Sequence, residues 1–243
     1  MRALVVADIH ANLKAFEAVL ADARSRGGFD VVWCLGDIVG YGPQPSECMA
    51  LLQSLPNVTV AGNHDLAAAG KLTIDNFNSA AAQAALWTWQ HITEEEREWL
   101  EALPQRAFEG DFTLVHGTLL DPVWEYLVES REATMHLSQQ VTPYSFVGHT
   151  HLPLLYYEAP GKAVGRALCD GDAVALEGDR FVANAGSVGQ PRDGDARAAY
   201  ALVDTEAAIV SFHRVNYDYV TTQRLMAEGG LPEVLVERIA FGR

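Results

Sequence analysis

Asp8-Ile9-His10, Gly36-Asp37, Gly62-Asn63-His64-Asp65, His116 and Gly148-His149-Thr150-His151 follow one another along a chain of 243 residues, each close behind a short apolar run. The side chains they supply are carboxylates, imidazoles and one amide oxygen. That mixture suits first-row divalent ions such as Mn²⁺, Fe²⁺, Zn²⁺, Co²⁺ or Ni²⁺ better than Ca²⁺ or a thiolate-bound structural zinc. Seven candidate ligands, Asp8, His10, Asp37, Asn63, His116, His149 and His151, exceed what one tetrahedral ion accepts but suit two ions if one carboxylate bridges them. Two ions about 3.5–4 Å apart hold a hydroxide between them as nucleophile and clamp a phosphoryl group for in-line attack. Such ions bring four positive charges and the two aspartates return two, so the pocket stays cationic with hydroxide bound. His64 is set apart by following Asn63 directly, because adjacent side chains rarely reach one ion. We therefore assign it to the leaving-group oxygen as general acid. Asp65 stands beside it, but adjacency does not establish a contact.

The elements that must position these groups alternate in the first third of the chain. Residues 3–7, 30–35 and 58–61 are apolar runs of strand length. Residues 12–25 carry Leu13, Phe16, Val19 and Leu20 at helical spacing, and a second helix is expected over residues 46–55. This rhythm predicts a parallel sheet covered on both faces. Asp8, Asp37 and Asn63 then share the rim at the carboxyl ends of the strands, where ligands gather in open α/β sheets. His116 and His149 end further runs and can join that rim. Asp8 and His10 are two apart, as are His149 and His151, and a bend at such a transition lets both members of a pair reach one centre.

Residues 76–103 read as helical throughout, with Thr93 and Glu96 forming a capping box for a second helix. Strands are expected at residues 112–115 and 144–147, with a helix capped by Ser130 running to Gln140. Beyond Pro153, short runs at residues 154–157, 173–176, 181–184, 198–203 and 208–213 predict an antiparallel sheet. Helices begin near Tyr217 and at Pro232. No repeat or linker interrupts the chain, and a single domain over residues 1–243, two sheets with flanking helices, is expected.

Composition bounds the partners. The chain is 49% hydrophobic and 20% charged, enough for a full core. Its net charge of −15, from 17 basic and 32 acidic residues, argues against extended nucleic acid or an anionic membrane surface. Three cysteines make no disulfide framework and read as reduced thiols, two of them buried. No run reaches the length of a membrane span or a signal-peptide core, so a soluble cytoplasmic protein is expected.

In this order, D-x-H, GD, GNHD, H and GHTH resemble the motifs of the calcineurin-like metallophosphoesterase superfamily, over residues 8–151. The resemblance implies an α/β fold (α+β in some schemes), a two-sheet sandwich flanked by helices. It implies that Asp8, His10, Asp37 and His151 hold one metal, and that Asp37, Asn63, His116 and His149 hold the other, with Asp37 bridging and Mn²⁺ the leading ion. Residues 184–193, NAGSVGQPRD, are similar to the NPGSVGxPR segment of the small bacterial phosphodiesterase branch, with Ala185 in place of its proline. Protein serine/threonine phosphatases and symmetric diadenosine tetraphosphatases carry an arginine shortly after GD and read GNHE. Here residues 36–43 read GDIVGYGP without arginine, and the later motif is GNHD. The group that includes asymmetric dinucleoside-tetraphosphate hydrolases is the more similar.

The implied activity is hydrolysis of a small phosphodiester or phosphoanhydride, a dinucleotide being one candidate. A phosphomonoesterase is an alternative. So is a catalytically silent scaffold of the same fold that binds a protein partner, although the intact ligand set and His64 argue against it. A nuclease would need a basic track. Arg192 is a candidate phosphate anchor, or else a surface arginine paired with Asp193 or Asp195. Trp87, Trp89 and Trp124 offer faces for a nucleobase, although tryptophans more often serve packing. His91, His136 and His213 belong to no motif and read as structural or surface groups.

Overall fold

Alternate residues of the first strand enter two different hydrophobic clusters. Leu4 and Val6 join one, and Ala3 and Val5 the other, so β1 (Arg2–Val6) is covered on both faces. A computed structural model describes all 243 residues, Met1–Arg243. In the first sheet, β1 lies between β2 (Val31–Cys34) and β11 (Ala198–Asp204). β3 (Asn57–Thr59) extends it beyond β2, and β12 (Ile209–Val215) and β9 (Ala173–Ala175) extend it beyond β11. β1, β2 and β3 run parallel, whereas β11 is antiparallel to β1.

The second sheet has the order β4 (Arg106–Glu109), β5 (Phe112–Val115), β6 (Tyr144–Val147), β10 (Phe181–Ala185), β7 (Pro153–Tyr157), β8 (Val164–Ala167). Its central strands β5, β6 and β10 are parallel. The sheets face each other across a core that includes Trp33, Phe112, Phe146, Phe181 and Phe212. α1 (Leu13–Ser25) and α2 (Pro45–Gln53) cover the outer face of the first sheet through Phe16, Val19, Leu20, Met49 and Leu52. α6 (Ser130–Gln139) covers the second through Ala133 and Leu137. The result is the expected sandwich of two sheets between helices.

The strands beyond Pro153 do not form an antiparallel sheet of their own. β10 runs parallel to β6 and β11 antiparallel to β1. Both are buried along nearly their whole length, which makes them central strands of two different sheets. The helical reading of residues 76–103 also needs correction. A 3₁₀ turn at Ile74–Asn76 precedes α4 (Ser79–His91), which starts only where the Asn78 side chain accepts Ala81 N–H at 3.0 Å. α5 (Glu94–Glu101) follows behind the predicted capping box of Thr93 and Glu96.

Ser130 does not cap α6. Glu129 stands at the cap position, its N–H donating to the Glu132 carboxylate at 3.1 Å, while the Ser130 hydroxyl donates to the Ala163 carbonyl. α3 (Asn63–Ala68) carries the GNHD motif, and α7 (Tyr219–Glu228) and α8 (Glu233–Arg238) close the chain. Cys34 and Cys48 are buried, Cys169 is exposed, and none is paired. No helix is long and apolar enough to cross a membrane.

Candidate metal centre and its cleft

β1, β2, β5 and β6 all end at one rim, and Asp8, His10, Asp37, His116, His149 and His151 follow within one to four positions. There the backbone turns sharply. Asp8, His10, Asp37, His149 and His151 all adopt left-handed φ values of 49–66°, as do their neighbours Ala11 and Tyr41. This conformation is costly for residues other than glycine and concentrates at functional sites. It is held by main-chain bonds from Asp8 N–H to Gly36 O (3.0 Å), His10 N–H to Asp37 O (2.9 Å) and Ala11 N–H to Ile38 O (2.8 Å).

The residues 184–189 stitch the two halves together. Asn184 Nδ2 donates to Gly148 O (2.6 Å) and Thr150 Oγ1 (2.9 Å), while Ser187 Oγ donates to Asp8 O (2.9 Å). Ala185, where the related segment has proline, lies in β10 opposite Pro153.

The bends gather the donors into two groups. Asp8, His10, Asp37 and His151 bring one ligand atom each to within 4.8 Å of one another, and so do Asp37, His116 and His149. Asn63 Oδ1 lies 3.2 Å from His116 Nε2, beside the second group. The pair two residues apart, His149 and His151, is split between the groups rather than shared by one. Asp37 belongs to both, its Oδ2 standing 3.6 Å from His10 Nε2 and 3.5 Å from His116 Nε2.

Main-chain carbonyls fix the tautomer of each histidine, since a carbonyl can only accept. Val39 O takes the Nδ1 proton of His10 (3.0 Å), Gln190 O that of His151, and Leu35 O that of His116 (2.8 Å). Trp124 O takes the Nε2 proton of His149 (3.2 Å). The free lone pairs therefore face one another: His10 Nε2 and His151 Nε2 are 3.1 Å apart, and His116 Nε2 and His149 Nδ1 are also 3.1 Å apart.

Burial drives the pKa of all four rings down, that of His116 to about 4, so they stay neutral and able to ligate. Burial pushes the carboxyls up, Asp37 to about 7, and Asp8 is raised further by the charge of Asp37. Asp8 Oδ2 is buried without a hydrogen-bond partner. Opposed lone pairs and desolvated carboxylates are unfavourable for a protein alone and favourable around cations. The donor set fits two divalent ions.

His64 is buried beside this cluster. Its ring meets His10 edge-on at 5.0 Å, Tyr41 at 4.4 Å and Phe77 at 4.8 Å between centroids. Its Nδ1 is buried without a partner. Burial, and then the charge of Arg192, push its pKa well down in the free protein. A Cβ on Gly40 would lie 2.4 Å from that Nδ1, so the ring occupies space that only glycine leaves open.

Asp65 does not touch the His64 ring. Its carboxylate accepts N–H bonds from Asp37 (2.7 Å), Ile38 (2.9 Å), Val39 (3.2 Å) and Gly62 (3.0 Å). Gly62 is needed as well, because a Cβ there would fall 2.1 Å from Asp37 Oδ1.

A cleft opens over the cluster, lined by Asp37, Asn63, His64 and His149, and by Phe77, Trp124, Tyr126 and Arg192. Arg192 is not paired with Asp193 or Asp195, which bind Arg214 and Arg197 instead. Its Nη2 donates to Gln190 Oε1 at 2.9 Å. Of the three candidate tryptophans only Trp124 lines this cleft. Trp87 packs on the C-terminal segment, donating to Gly229 O at 2.7 Å, and Trp89 stacks on Arg97 at the surface.

Sequence reasoning missed Phe77, Tyr126 and Arg238. Tyr126 stacks on His149 (4.1 Å, 14°), and Arg238 lies 5.6 Å from the Tyr41 ring centroid. None sits in a motif, so no local signal distinguished them. His136 is buried and His213 half-buried, while His91 stacks on Trp87 near the surface.

The model of the calcineurin-like phosphoesterase superfamily domain matches residues 1–208. The chain belongs to that superfamily. It is thus a hydrolase, with the fold and the buried Asp/His cluster of a metallophosphoesterase. A crystal structure of a metallophosphoesterase from Sphaerobacter thermophilus, 47% identical, superposes with a TM-score of 0.91 over 100% of this chain and 99% of that one.

An uncharacterized protein of Methanocaldococcus jannaschii is 37% identical over 245 residues, covering 98% of this chain and 97% of its own length. A symmetrical bis(5'-nucleosyl)-tetraphosphatase of Aromatoleum aromaticum is 30% identical over 131 residues, but the match spans only 51% of this chain and 46% of that protein.

Proposed function

We propose that this protein hydrolyses phosphodiester or phosphoanhydride bonds of a small phosphate-bearing molecule, with a dinucleoside tetraphosphate as the leading candidate. The observation that carries the reading is the set of four histidines whose tautomers are fixed by main-chain carbonyls so that their free lone pairs converge with Asp8 and Asp37. Asp8, His10, Asp37 and His151 would hold one divalent ion, and Asp37, Asn63, His116 and His149 a second, with Mn²⁺ ahead of Fe²⁺, Zn²⁺, Co²⁺ and Ni²⁺. Two such ions supply Lewis acidity and an activated water at neutral pH.

The chain's own groups do the rest. Arg192, which lines the cleft, offers its guanidinium to a phosphate of the substrate, and Asn63 adds an amide at the second group. His64, held over Gly40, delivers a proton to the departing oxygen. Phosphate charge beside it favours the imidazolium and opposes the effect of burial. The dinucleotide reading draws on the partial likeness to a tetraphosphatase and on the aromatic wall of Phe77, Trp124 and Tyr126. The three unpaired cysteines support a reducing, cytoplasmic setting.

The test is a panel: protein loaded with each ion in turn, against an aryl monoester, an aryl diester, a 2′,3′-cyclic nucleotide and diadenosine tetraphosphate. Hydrolysis of the diester or the tetraphosphate is expected, and the nucleotide products of the latter report symmetric or asymmetric cleavage. Inactivity on all four with two ions bound overturns the reading.

A further inference from the structure

Two arginines stand together, Arg192 lining the cleft and Arg238 beside it, with no acidic side chain between them. Arg192, in the loop after β10, and Arg238, the last residue of α8, each donate Nη2 to the same oxygen, Gln190 Oε1, at 2.9 and 2.8 Å. The two nitrogens are therefore no more than about two hydrogen-bond lengths apart. Both guanidiniums flank the Tyr41 ring, at 5.9 and 5.6 Å from its centroid, and Tyr41 packs against His64. The pair thus lies just beyond the proposed acid.

Eight other arginines in this acidic chain sit in ion pairs. Neither of these two pairs with an acidic side chain, and Arg192 Nε is buried without any partner. Neighbouring cations partly withdrawn from water repel each other. An anion that accepts from both removes that repulsion, and the guanidinium fork matches phosphate oxygens.

Arg238 is held from several sides. Its Nε donates to the main-chain oxygen of Arg243, and Gly194 N–H donates to Gly242 O at 2.9 Å, tying residues 242–243 to the Arg192 loop. Thr222 Oγ1 donates to Asn12 Oδ1 at 3.0 Å, and Met226, Leu235 and Ile239 pack in one cluster with Tyr41. All of this segment lies beyond residue 208, the last residue matched by the superfamily domain.

We propose that Arg192 and Arg238 together bind a second phosphate group of the substrate, next to the one under attack. The preferred substrates then carry consecutive phosphates joined by anhydride oxygens, and simple diesters engage the metal cluster alone. This rests on the reading above that the scissile phosphate sits at that cluster.

Two arms test it. In the first, calorimetry measures imidodiphosphate binding to metal-free protein, wild type and R238Q. Loss of a charged hydrogen-bond donor should weaken binding about 10- to 100-fold. In the second, kcat/KM of the metal-loaded proteins is compared on diadenosine tetraphosphate and on an aryl diester. R238Q should lose at least about 10-fold more on the tetraphosphate than on the diester, chiefly through KM, with R238K recovering only part of the loss.

Equal losses on both substrates would make Arg238 a structural latch, and undiminished imidodiphosphate binding by R238Q would equally overturn the proposal. A wild type that cleaves the diester but neither binds imidodiphosphate nor cleaves the tetraphosphate refutes the second-phosphate site alone. A wild type inactive on both substrates refutes the hydrolytic reading, and the binding arm still decides the arginine pair.

Discussion

The carboxylate of Asp65 accepts the main-chain N–H of Asp37 at 2.7 Å and, with the N–H groups of Ile38, Val39 and Gly62, collects four donors from two loops. It fixes the strained turn from which Asp37 projects without entering the cluster itself. Asp65→Asn replaces one acceptor oxygen with an NH₂ that faces these N–H groups. We expect divalent-ion affinity to fall about 10- to 100-fold, as for other partners that support metal ligands, with a lower melting temperature. Calorimetric titration with Mn²⁺ checks this, and unchanged affinity would refute it.

Asp37 carries the largest single loss. Its Oδ2 stands on the seam between the two donor groups, 3.6 Å from His10 Nε2 and 3.5 Å from His116 Nε2. Asp37→Ala should abolish metal-dependent hydrolysis and lower bound metal below two ions per chain, measured by elemental analysis after dialysis. Full turnover at normal occupancy would sink the two-ion assignment.

His64 should separate from the ligands by experiment. His64→Ala is expected to cut turnover about 10²- to 10⁴-fold while the ions stay bound. Loss of metal in that variant would make it a ligand instead. Gly40→Ala should approach the same loss of turnover, because the added Cβ falls 2.4 Å from His64 Nδ1 and displaces the ring. A fully active Gly40→Ala enzyme would show that the ring position does not matter.

Away from the site, His136 makes stability sensitive to acid. Leu119 N–H donates to its Nδ1 (3.2 Å), so Nε2 carries the proton and donates to Ser145 Oγ (2.7 Å). Burial, and then the charge of Arg106, hold its pKa down to about 3 in the folded protein. Between that value and the ordinary imidazole range near 6.5 the unfolded chain binds a proton that the folded one does not. This contribution is therefore intact above about pH 6.5 and is lost progressively as pH falls toward 3. His136→Asn should remove about 1.4 kcal/mol per pH unit from the slope in that window, read from urea unfolding at a series of pH values. An unchanged slope would refute it.

The buried donor groups were legible because Asp8, Asp37, His116 and His149 lie one to three residues past strand ends, so sequence order put them on one rim. The division of His149 and His151 between two groups was not visible in their spacing, because it depends on backbone turns that L-residues rarely adopt. Asn76, Phe77 and Asn78 were hidden in an apparently helical stretch, and only the Asn78 cap shows where that helix starts. Five of the six strands from Pro153 onward were found, β8 being missed, but not the sheets they join. Partner choice there depends on which strands are buried on both faces, as β10 and β11 are, and short apolar runs do not reveal it. Arg238 lay furthest from view, brought to Arg192 by packing of the last helices across 46 positions.

The left-handed turns have a practical consequence for anyone wishing to move this site. Seven residues other than glycine hold φ near 49–66° around the rim, each against a preference of about 1–2 kcal/mol. A peptide carrying residues 8–11 or 148–151 would relax to ordinary geometry and scatter its donors. Transplanting the motifs into another scaffold would therefore transfer the letters without the shape. A working graft must bring the strands, the Asp65 brace and the Asn184 stitch along with the ligands.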